Sequence, residues 1–465
     1  MLTSLHDTKR PPGHGLQYSS SFPVTSISAI FYSPRKCVLL AVCLVLLASS
    51  VAAQDKPVRS ATDEDTTRIK QGSGGLVERT AAALLKQREA TLFGRPHMMT
   101  ALPIVYYDLR NGVSFGFRSV LHAAGKTPYL YRVSLQLLAS HKGSHKHKLD
   151  LDFPDFRESG FGFGLQAWWE RDLEARYYGT GNNSVRDEAL ITKGRPGFVD
   201  EDYYIYNLKH PRLTIYGTRS IWANLTFSLG FGLDFAEPQL KNDANHSFIA
   251  REQPFGFWGG SGRKLLFRLT WDSRNDDTFP RRGMLSEVTF EPNFVKVDLV
   301  SSSQIQKKVT FQRYAFSMAV FVPFYSEKVI LANRFAFEAV SGEPPYYALG
   351  EIAGQQLTKT VGGSSSLRGF QSQRFQDKVK YISLTELRCK ISHFVLFSNV
   401  LDLVAVGFFD SGRVWSDVSS LSVDDIHTGF GGGLWVNLNE GMIVRFDVGR
   451  SREGWVPFLQ LGGTF

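Results

Sequence analysis

The sequence is poor in cysteine. Of its three cysteines, Cys37 and Cys43 precede the position at which the mature chain is predicted to begin, so only Cys389 is expected to persist. A single thiol cannot form an internal disulfide, and no cluster of histidine and cysteine surrounds it in the sequence. The sequence therefore predicts no disulfide-stabilised domain, no zinc site and no cysteine nucleophile.

Long apolar stretches are also absent, although aromatic residues are abundant. A membrane-spanning helix needs about 20 consecutive apolar residues, and the apolar run at residues 38–48 is too short. The chain nevertheless contains 36 Phe, 17 Tyr, 8 Trp and 42 Gly beside a mean hydropathy of only -0.15. This composition favours a transmembrane β-barrel, whose strands alternate apolar side chains toward lipid with polar ones toward the lumen.

Neither sign of charge is in large excess. The 53 Lys and Arg residues outnumber the 44 Asp and Glu residues, for a net charge of +9. The basic residues are scattered through alternating segments and form no basic helix, which argues against nucleic-acid binding. A solvated surface and contact with outer-membrane lipid or lipopolysaccharide are the expected uses of this charge.

The first 53 residues are predicted to be a secretory signal peptide. Arg35 and Lys36 precede the apolar run 38–48, and small residues lead to Gln54 at the expected cleavage position. Residues 1–34 are long for the basic region of a signal peptide, so the true translation start is expected within them. Residues 54–102 are predicted to form a short periplasmic arm or plug, with a helical pattern at 75–92.

From residue 103 to residue 465 the pattern predicts sixteen strands. Between 265 and 274, Leu265 and Leu269 share one face while Arg268 and Asp272 share the other. Charges interleaved with apolar residues are costly in a sandwich core but suit a wall between lipid and water. The prediction is an all-β, 16-stranded antiparallel transmembrane β-barrel with a short N-terminal arm.

An even number of strands places both chain ends in the periplasm, so odd-numbered connections should be external. The longer connections fall at odd positions, near 176–201, 236–262, 293–307, 341–377 and 415–426. At the carboxyl end, Leu459, Leu461 and Phe465 alternate toward an aromatic terminus, the form of an outer-membrane insertion signal. The alternative interpretation is an ordinary last strand.

Several segments carry a resemblance to one family. The stretch 362–370, Gly-Gly-Ser-Ser-Ser-Leu-Arg-Gly-Phe, resembles a loop tip that folds back into the barrel, and residues 408–415 resemble an F-x-D-x-G strand. Glu386 and the segments 177–182 and 272–283 match further family stretches. The sequence is similar to the bacterial surface antigen, or outer-membrane assembly-factor, superfamily, which includes BamA- and TamA-like barrels.

This resemblance implies a lock between a loop and the barrel wall. An arginine turned into the lumen needs an anionic partner, because an unpaired buried charge is costly. We expect Arg368 to pair with Asp410 and Glu386, Gly369 to let the tip turn, and Phe370 to pack on the wall. The alternative is that these contacts only hold a plug in place.

The resemblance also sets the functional expectations. Family members that handle proteins usually carry periplasmic POTRA repeats, and residues 54–102 are too few for them. We expect a bacterial outer-membrane barrel that assists insertion or translocation of protein or lipid, acting on nascent outer-membrane proteins or with a separate periplasmic partner. The alternative is a passive or gated pore, or a structural barrel.

No catalytic activity is expected of this chain. No nucleophile elbow and no H-E-x-x-H motif are predicted, so the sequence indicates neither an enzyme nor a cofactor. His141, His145 and His147 lie among lysines in a predicted hairpin, which is more typical of a solvated loop than of a metal site.

Overall fold

The structure is a computed structural model that describes residues 88–465, apart from 93–94, 109–111, 124–128, 242, 244, 302–304, 355–359, 397–398, 439–441 and 464. The predicted signal peptide and the predicted arm up to residue 87 lie outside the described residues. All described residues belong to one compact unit that spans 71–465.

Eighteen strands form a single antiparallel sheet in this part of the chain. They are β1 (Arg88–Leu92), β2 (Arg95–Asp108), β3 (Gly112–Ala123), β4 (Arg132–Ser140), β5 (His145–Phe153), β6 (Phe161–Arg176), β7 (Ile205–Lys209), β8 (Arg212–Trp222), β9 (Leu225–Gln239), β10 (Gly260–Asp272), β11 (Gly283–Asp298), β12 (Gln306–Ser326), β13 (Val329–Gly342), β14 (Val379–Leu396), β15 (Asn399–Trp415), β16 (His427–Leu438), β17 (Met442–Ser451) and β18 (Gly454–Leu461).

The predicted all-β fold is confirmed, but the predicted count of sixteen strands is not. One difference is that β7 and β8 together occupy the place between β6 and β9, because both pair with each of these neighbours. They are separated by His210 and Pro211, and proline has no backbone N–H for the sheet. The other difference is β1, which pairs with Arg95–Met99 of β2 as a hairpin.

The predicted start of the barrel at residue 103 is too late. The helical pattern predicted at 75–92 includes residues 88–92, and the predicted arm includes residues 95–102, yet these residues form β1 and the first part of β2. A short apolar pattern does not decide between helix and strand by itself, and pairing with a neighbouring strand overrides weak helix propensity here.

The wall has a polar inner face and an apolar outer face. On β15, Phe409 is 51% exposed whereas its neighbour Asp410 is fully buried, and on β17 Phe446 is exposed whereas Arg445 is buried. Successive side chains of a strand point to opposite faces. The outer face therefore presents aromatic and aliphatic side chains suited to lipid, and the inner face collects the charges.

The sheet curves around the segment 343–378, which connects β13 to β14. Inward-facing side chains of β8, β10, β12, β13, β14, β15 and β17 all contact this one segment. At the other end of the wall, Arg132 of β4 forms an ion pair with Asp277 in the connection between β10 and β11. Contacts between strands so far apart in the sheet require the wall to bend into a barrel.

The long connections gather at one end of the barrel. The side-chain oxygen of Asn182 accepts from the backbone N–H of Val414, and the rings of Tyr177 and Tyr346 are 5.5 Å apart. Two short helices, α1 (Glu188–Ile191) and α2 (Phe248–Glu252), lie in these connections, as do the 3₁₀ turns at Tyr346–Gly350 and Val418–Ser420. A further 3₁₀ turn, Phe156–Glu158, connects β5 to β6 at the other end of the barrel. Among the described residues, no helix has the length and apolar character needed to cross a membrane.

Candidate functional site: a loop locked inside the barrel

The tip of segment 343–378 is shaped by its own backbone. Gly362 and Gly363 adopt φ values of +117° and +114°, and Gly369 adopts +95°, a region that residues with a Cβ rarely occupy. The hydroxyl of Ser366 donates to the carbonyl of Thr360 at 2.9 Å and accepts from the N–H of Gly362 at 3.1 Å. These bonds hold the backbone of the tip in a compact turn.

Arg368 is fully buried and is bound by two carboxylates of the inner wall. Its Nε and Nη2 donate to the two oxygens of Asp410 at 2.7 and 2.8 Å, and its Nη1 donates to Oε1 of Glu386 at 2.8 Å. The guanidinium also lies 3.6 Å from the centre of the Phe408 ring. Burial disfavours the charged guanidinium, but the two carboxylates outweigh it and raise the pKa of Arg368.

Two glycines of the wall make room for the tip, and sequence reasoning missed both. A Cβ on Gly429 of β16 would lie 1.8 Å from the carbonyl oxygen of Arg368, and one on Gly449 of β17 would lie 2.5 Å from the nitrogen of Gly369. The hydroxyl of Ser451 donates to the carbonyl of Gly369 at 2.6 Å. The glycine-rich run around 429–433 was the available sequence signal for such a close approach.

Phe370 and its neighbours fasten the tip by apolar contact. Leu367 and Phe370 are fully buried, and the Phe370 ring meets Phe375 edge to face at 5.3 Å. They share one cluster with wall residues Ala336, Ile382, Leu384 and Val414. Each such side chain contributes roughly 1.5–3 kcal/mol when it is fully removed from water, so the tip is held by packing as well as by charge.

The lock belongs to a larger buried network in which cations and anions are equal in number. The six charged side chains are Arg368, Arg388, Arg445, Glu386, Asp410 and Asp447, all buried. Asp447 accepts from Nη1 of Arg445 at 2.9 Å and from the indole nitrogen of Trp435 at 2.8 Å. Arg445 in turn donates to the carbonyl of Ser364 in the tip at 2.8 Å. Wall residues therefore bind the tip at Ser364 as well as at Arg368.

A second anchor holds the start of the same segment. The carboxylate of Glu338 on β13 accepts from the backbone N–H of Ala353 at 2.8 Å and from Nε of Arg313 at 2.9 Å. Lys380 of β14 pairs with the other oxygen of Glu338, and Arg313 also donates to the carbonyl of Glu351. The segment is thus bound near 351–353 as well as at its tip.

The carboxyl-terminal residue lies inside the barrel. Gly462, at a φ of +103°, donates its N–H to the carbonyl of Ile443 at 2.7 Å and turns the chain away from β18. The ring of Phe465 then lies 5.8 Å from that of Phe321, whereas Leu459 is exposed on the outer face. The predicted alternation of Phe465 with Leu459 on one face is therefore wrong. The side chain of Leu461 is not among those described.

Phe465 is linked to the lock by its contact with Arg388, which binds Glu386. The guanidinium carbon of Arg388 lies within 5.8 Å of the centres of four rings, those of Phe279, Phe321, Trp435 and Phe465. Its Nε donates at 2.8 Å to Oε2 of Glu386. Glu386 thus binds the loop arginine through one oxygen and the arginine beside the carboxyl terminus through the other.

The other sequence signals lie away from this site. The letters Gly-Val-Ser-Phe-Gly occur at 112–116, but Ser114 lies inside the continuous strand β3, whereas a nucleophile elbow requires a turn from strand to helix. His145 and His147 stack at 5.3 Å on β5, and His141 lies in the preceding turn. Within the described ranges, no group of three metal-binding side chains is found.

The fold and the site define a class of protein: an all-β barrel whose lumen is occupied by an inward-folded connection, locked by a buried arginine and two carboxylates. Residues 154–451 match the model of the Omp85 superfamily domain. This chain belongs to the Omp85 superfamily, whose members are outer-membrane β-barrel proteins. The predicted family membership is confirmed.

The solved structures that are similar to the chain include BamA and CdiB barrels. BamA from Haemophilus ducreyi lacking POTRA domains 1–3 is 13% identical, with 83% of this chain and 77% of that chain covered and a TM-score of 0.48. CdiB from Escherichia coli is 12% identical, with 78% of this chain and 61% of that chain covered and a TM-score of 0.43. No curated protein matches the sequence.

Proposed function

We propose that this barrel assists the insertion or translocation of polypeptide at the bacterial outer membrane, without covalent chemistry and without a cofactor. The observation that carries the proposal is the locked tip, in which Arg368 donates to Asp410 and Glu386 in a fully buried network. Superfamily membership supports the same role.

The locked tip argues against a passive pore. A diffusion channel needs a water-filled lumen. Here the tip residues Leu367, Arg368 and Phe370 are fully buried against the inner faces of strands β13–β17. Removing one partner of a buried ion pair costs about 3–5 kcal/mol. Displacing the whole tip costs more, because its apolar contacts are lost as well.

The lock supports an assembly role because it joins the wall strands nearest the carboxyl end of the sheet. Its charged members lie on β14, β15 and β17, and its glycine seat lies on β16 and β17. We infer that the tip fixes the relative positions of these strands while a client is handled. Nascent outer-membrane proteins are the proposed clients, with lipid as the other candidate and a separate periplasmic protein as the proposed partner.

The test is a reconstitution in liposomes of the mature chain, with the folding rate of a second, unrelated outer-membrane barrel as the readout. We expect the wild type to accelerate folding over empty liposomes and Arg368→Ala to lose most of the acceleration. Arg195→Ala removes an exposed arginine from the connection between β6 and β7 and should behave as the wild type.

Two results would overturn the proposal. One is the absence of any acceleration by the wild type, with and without an added periplasmic extract. The other is full acceleration by an Arg368→Ala protein whose tip is cleaved by protease, because insertion would then be independent of the lock. Single-channel conductance in the wild type would favour the pore instead.

A further inference from the structure

The outer face of the barrel carries a cluster of three cations at one level. Arg263 on β10, Lys296 on β11 and Lys308 on β12 are all exposed, and each alternates with a buried neighbour that faces the lumen. All three lie near the strand ends that meet the long connections. We infer that they form a binding site for the phosphate groups of an outer-leaflet glycolipid.

The sheet register brings these cations together. Lys296 and Lys308 are direct partners on the antiparallel strands β11 and β12, which places their Cβ atoms roughly 5 Å apart. Arg263 is the partner of Phe294, two residues before Lys296 on the same face. Like charges directly opposite each other destabilise a sheet, so this arrangement favours an anion bound between them.

The same strands pair their other cations. Lys264 lies 3.1 Å from a carboxylate oxygen of Glu291, and Lys307 lies 2.5 Å from one of Glu343. In the described part of the chain, no hydrogen bond or ion pair is found for the side chains of Arg263, Lys296 and Lys308. Charge is therefore balanced next to the cluster but not within it.

The nearest acidic residue on this face does not neutralise the cluster. Asp298 stands two residues beyond Lys296, and its carboxylate accepts from the side-chain amide of Gln306 at 2.7 Å. Gln306 is the register partner of Asp298, just as Lys308 is the partner of Lys296. One carboxylate against three cations leaves a net positive charge at this level of the wall.

An aromatic band adjoins the cations on the side of the membrane core. Phe294 is 52% exposed and Tyr314 is 50% exposed, and the rings of Phe290 and Tyr314 stack at 5.1 Å. Exposed aromatic girdles mark the two membrane interfaces of a barrel. Lys296 follows Phe294 by two residues, about 7 Å along the strand, which is the level of lipid headgroups.

The end of the barrel at which the cluster lies determines which leaflet of the membrane supplies the lipid. The cluster lies at the end that carries the long connections, and barrels of the outer membrane have short periplasmic turns and longer extracellular loops. A phosphorylated glycolipid offers several phosphates on one headgroup and acyl chains for the aromatic band. This inference rests on the outer-membrane location in the proposed function, but it requires no insertion activity.

The test measures binding of lipopolysaccharide to the purified full chain in detergent by native mass spectrometry. Lys296→Gln/Lys308→Gln should weaken binding by roughly thirtyfold, since one basic residue near an anionic membrane surface contributes about a factor of five. The control variant Lys307→Gln/Lys328→Gln also removes two positive charges and should bind as the wild type. Lys307 is paired with Glu343, and Lys328 lies in the turn between β12 and β13 at the opposite end of the barrel. Both double variants should still fold, which is checked by the difference in electrophoretic mobility between the unheated and the heated barrel.

Further lipids separate the possible sources of phosphate. Dephosphorylated lipopolysaccharide, phosphatidylglycerol and inorganic phosphate should each bind the wild type at least tenfold more weakly. Equal weakening by both double variants, or equal binding of phosphatidylglycerol and lipopolysaccharide, would overturn the inference. Client folding rates in the same variants should stay at the wild-type value, so loss of the site and failure of the proposed insertion activity give different results.

Discussion

Arg368 binds Asp410 through both its side chain and its backbone. Two nitrogens of the guanidinium donate to the two carboxylate oxygens at 2.7 and 2.8 Å, and the Arg368 N–H donates to Oδ2 at 3.0 Å. A carboxylate that accepts three bonds from one residue fixes the position of the backbone as well as that of the side chain. Asp410 therefore holds the tip in place and does more than neutralise a charge.

Asp410→Asn should destabilise the barrel and free the tip. The substitution leaves the Arg368 charge buried with Glu386 as its remaining direct partner, and breaking a buried pair costs about 3–5 kcal/mol. The measurement is the urea midpoint of the refolded barrel together with limited proteolysis within 360–375. Asp424→Asn, at an exposed position, is the matched control. A lock of no structural consequence would leave both readouts unchanged, even in Asp410→Lys.

Alanine at the glycine seat should dislodge the tip without removing any charge. The Cβ of Gly429→Ala would lie 1.8 Å from the carbonyl oxygen of Arg368, and no space remains for it unless the tip moves. We expect protease sensitivity similar to that of Asp410→Asn. Gly407→Ala is the control, because a Cβ there meets nothing within 4 Å. Identical digestion of the two variants would show that the seat is unimportant.

Phe465→Ala should loosen the lock from the opposite side. Phe465 lies 5.0 Å from the guanidinium of Arg388, which binds Glu386. Losing this partly buried ring should lower the free energy of unfolding by about 2 kcal/mol, less than the 3–5 kcal/mol typical of a fully buried phenylalanine. Thermal denaturation followed by tryptophan fluorescence measures this loss, because Trp435 also faces Arg388. Leu459→Ala, on the outer face, should shift the midpoint less.

Deleting the tip should open the lumen to ions. Residues 362–370 fill the space between the inner faces of β14–β17, so their removal should produce large stepwise conductance in planar bilayers where the wild type shows little. Deleting residues 193–197, which are exposed in the connection between β6 and β7, is the control and should leave conductance low. Equal conductance in the wild type and the tip deletion would mean that the locked loop does not obstruct the lumen.

Much of the site followed from the sequence because its parts lie in recognisable motifs. Arg368, Asp410 and Glu386 stand in the family-like stretches, and the structure brings these three together. Asp447 was not recognised as a partner of the tip, although its nearest oxygen is 3.7 Å from Arg368. The alternation along β17 places Asp447 on the same face as Arg445, the inner face. Its distance from the tip depended on how four strands pair.

The places where sequence reasoning failed share a physical cause. The start of the barrel, the division between β7 and β8, and the inward turn of Phe465 all depend on partners that lie far away in the chain. Local alternation predicts which face a side chain takes, but it does not say where a strand finds a partner or where an unpaired end goes. Gly462 turns the chain away from β18, but contacts with the Phe321 ring and Arg388 determine where Phe465 packs.

The sequence alone determined the class of fold, because a two-residue alternation of apolar and charged side chains has few physical solutions other than a wall between lipid and water. It also determined which charges face inward. The tertiary structure decided which of them meet, since curvature and register bring Glu386, Asp410 and Asp447 around one arginine. It likewise decided that Lys296 and Lys308 stand side by side. Contacts between residues on separate strands depend on pairing geometry, which no single strand encodes.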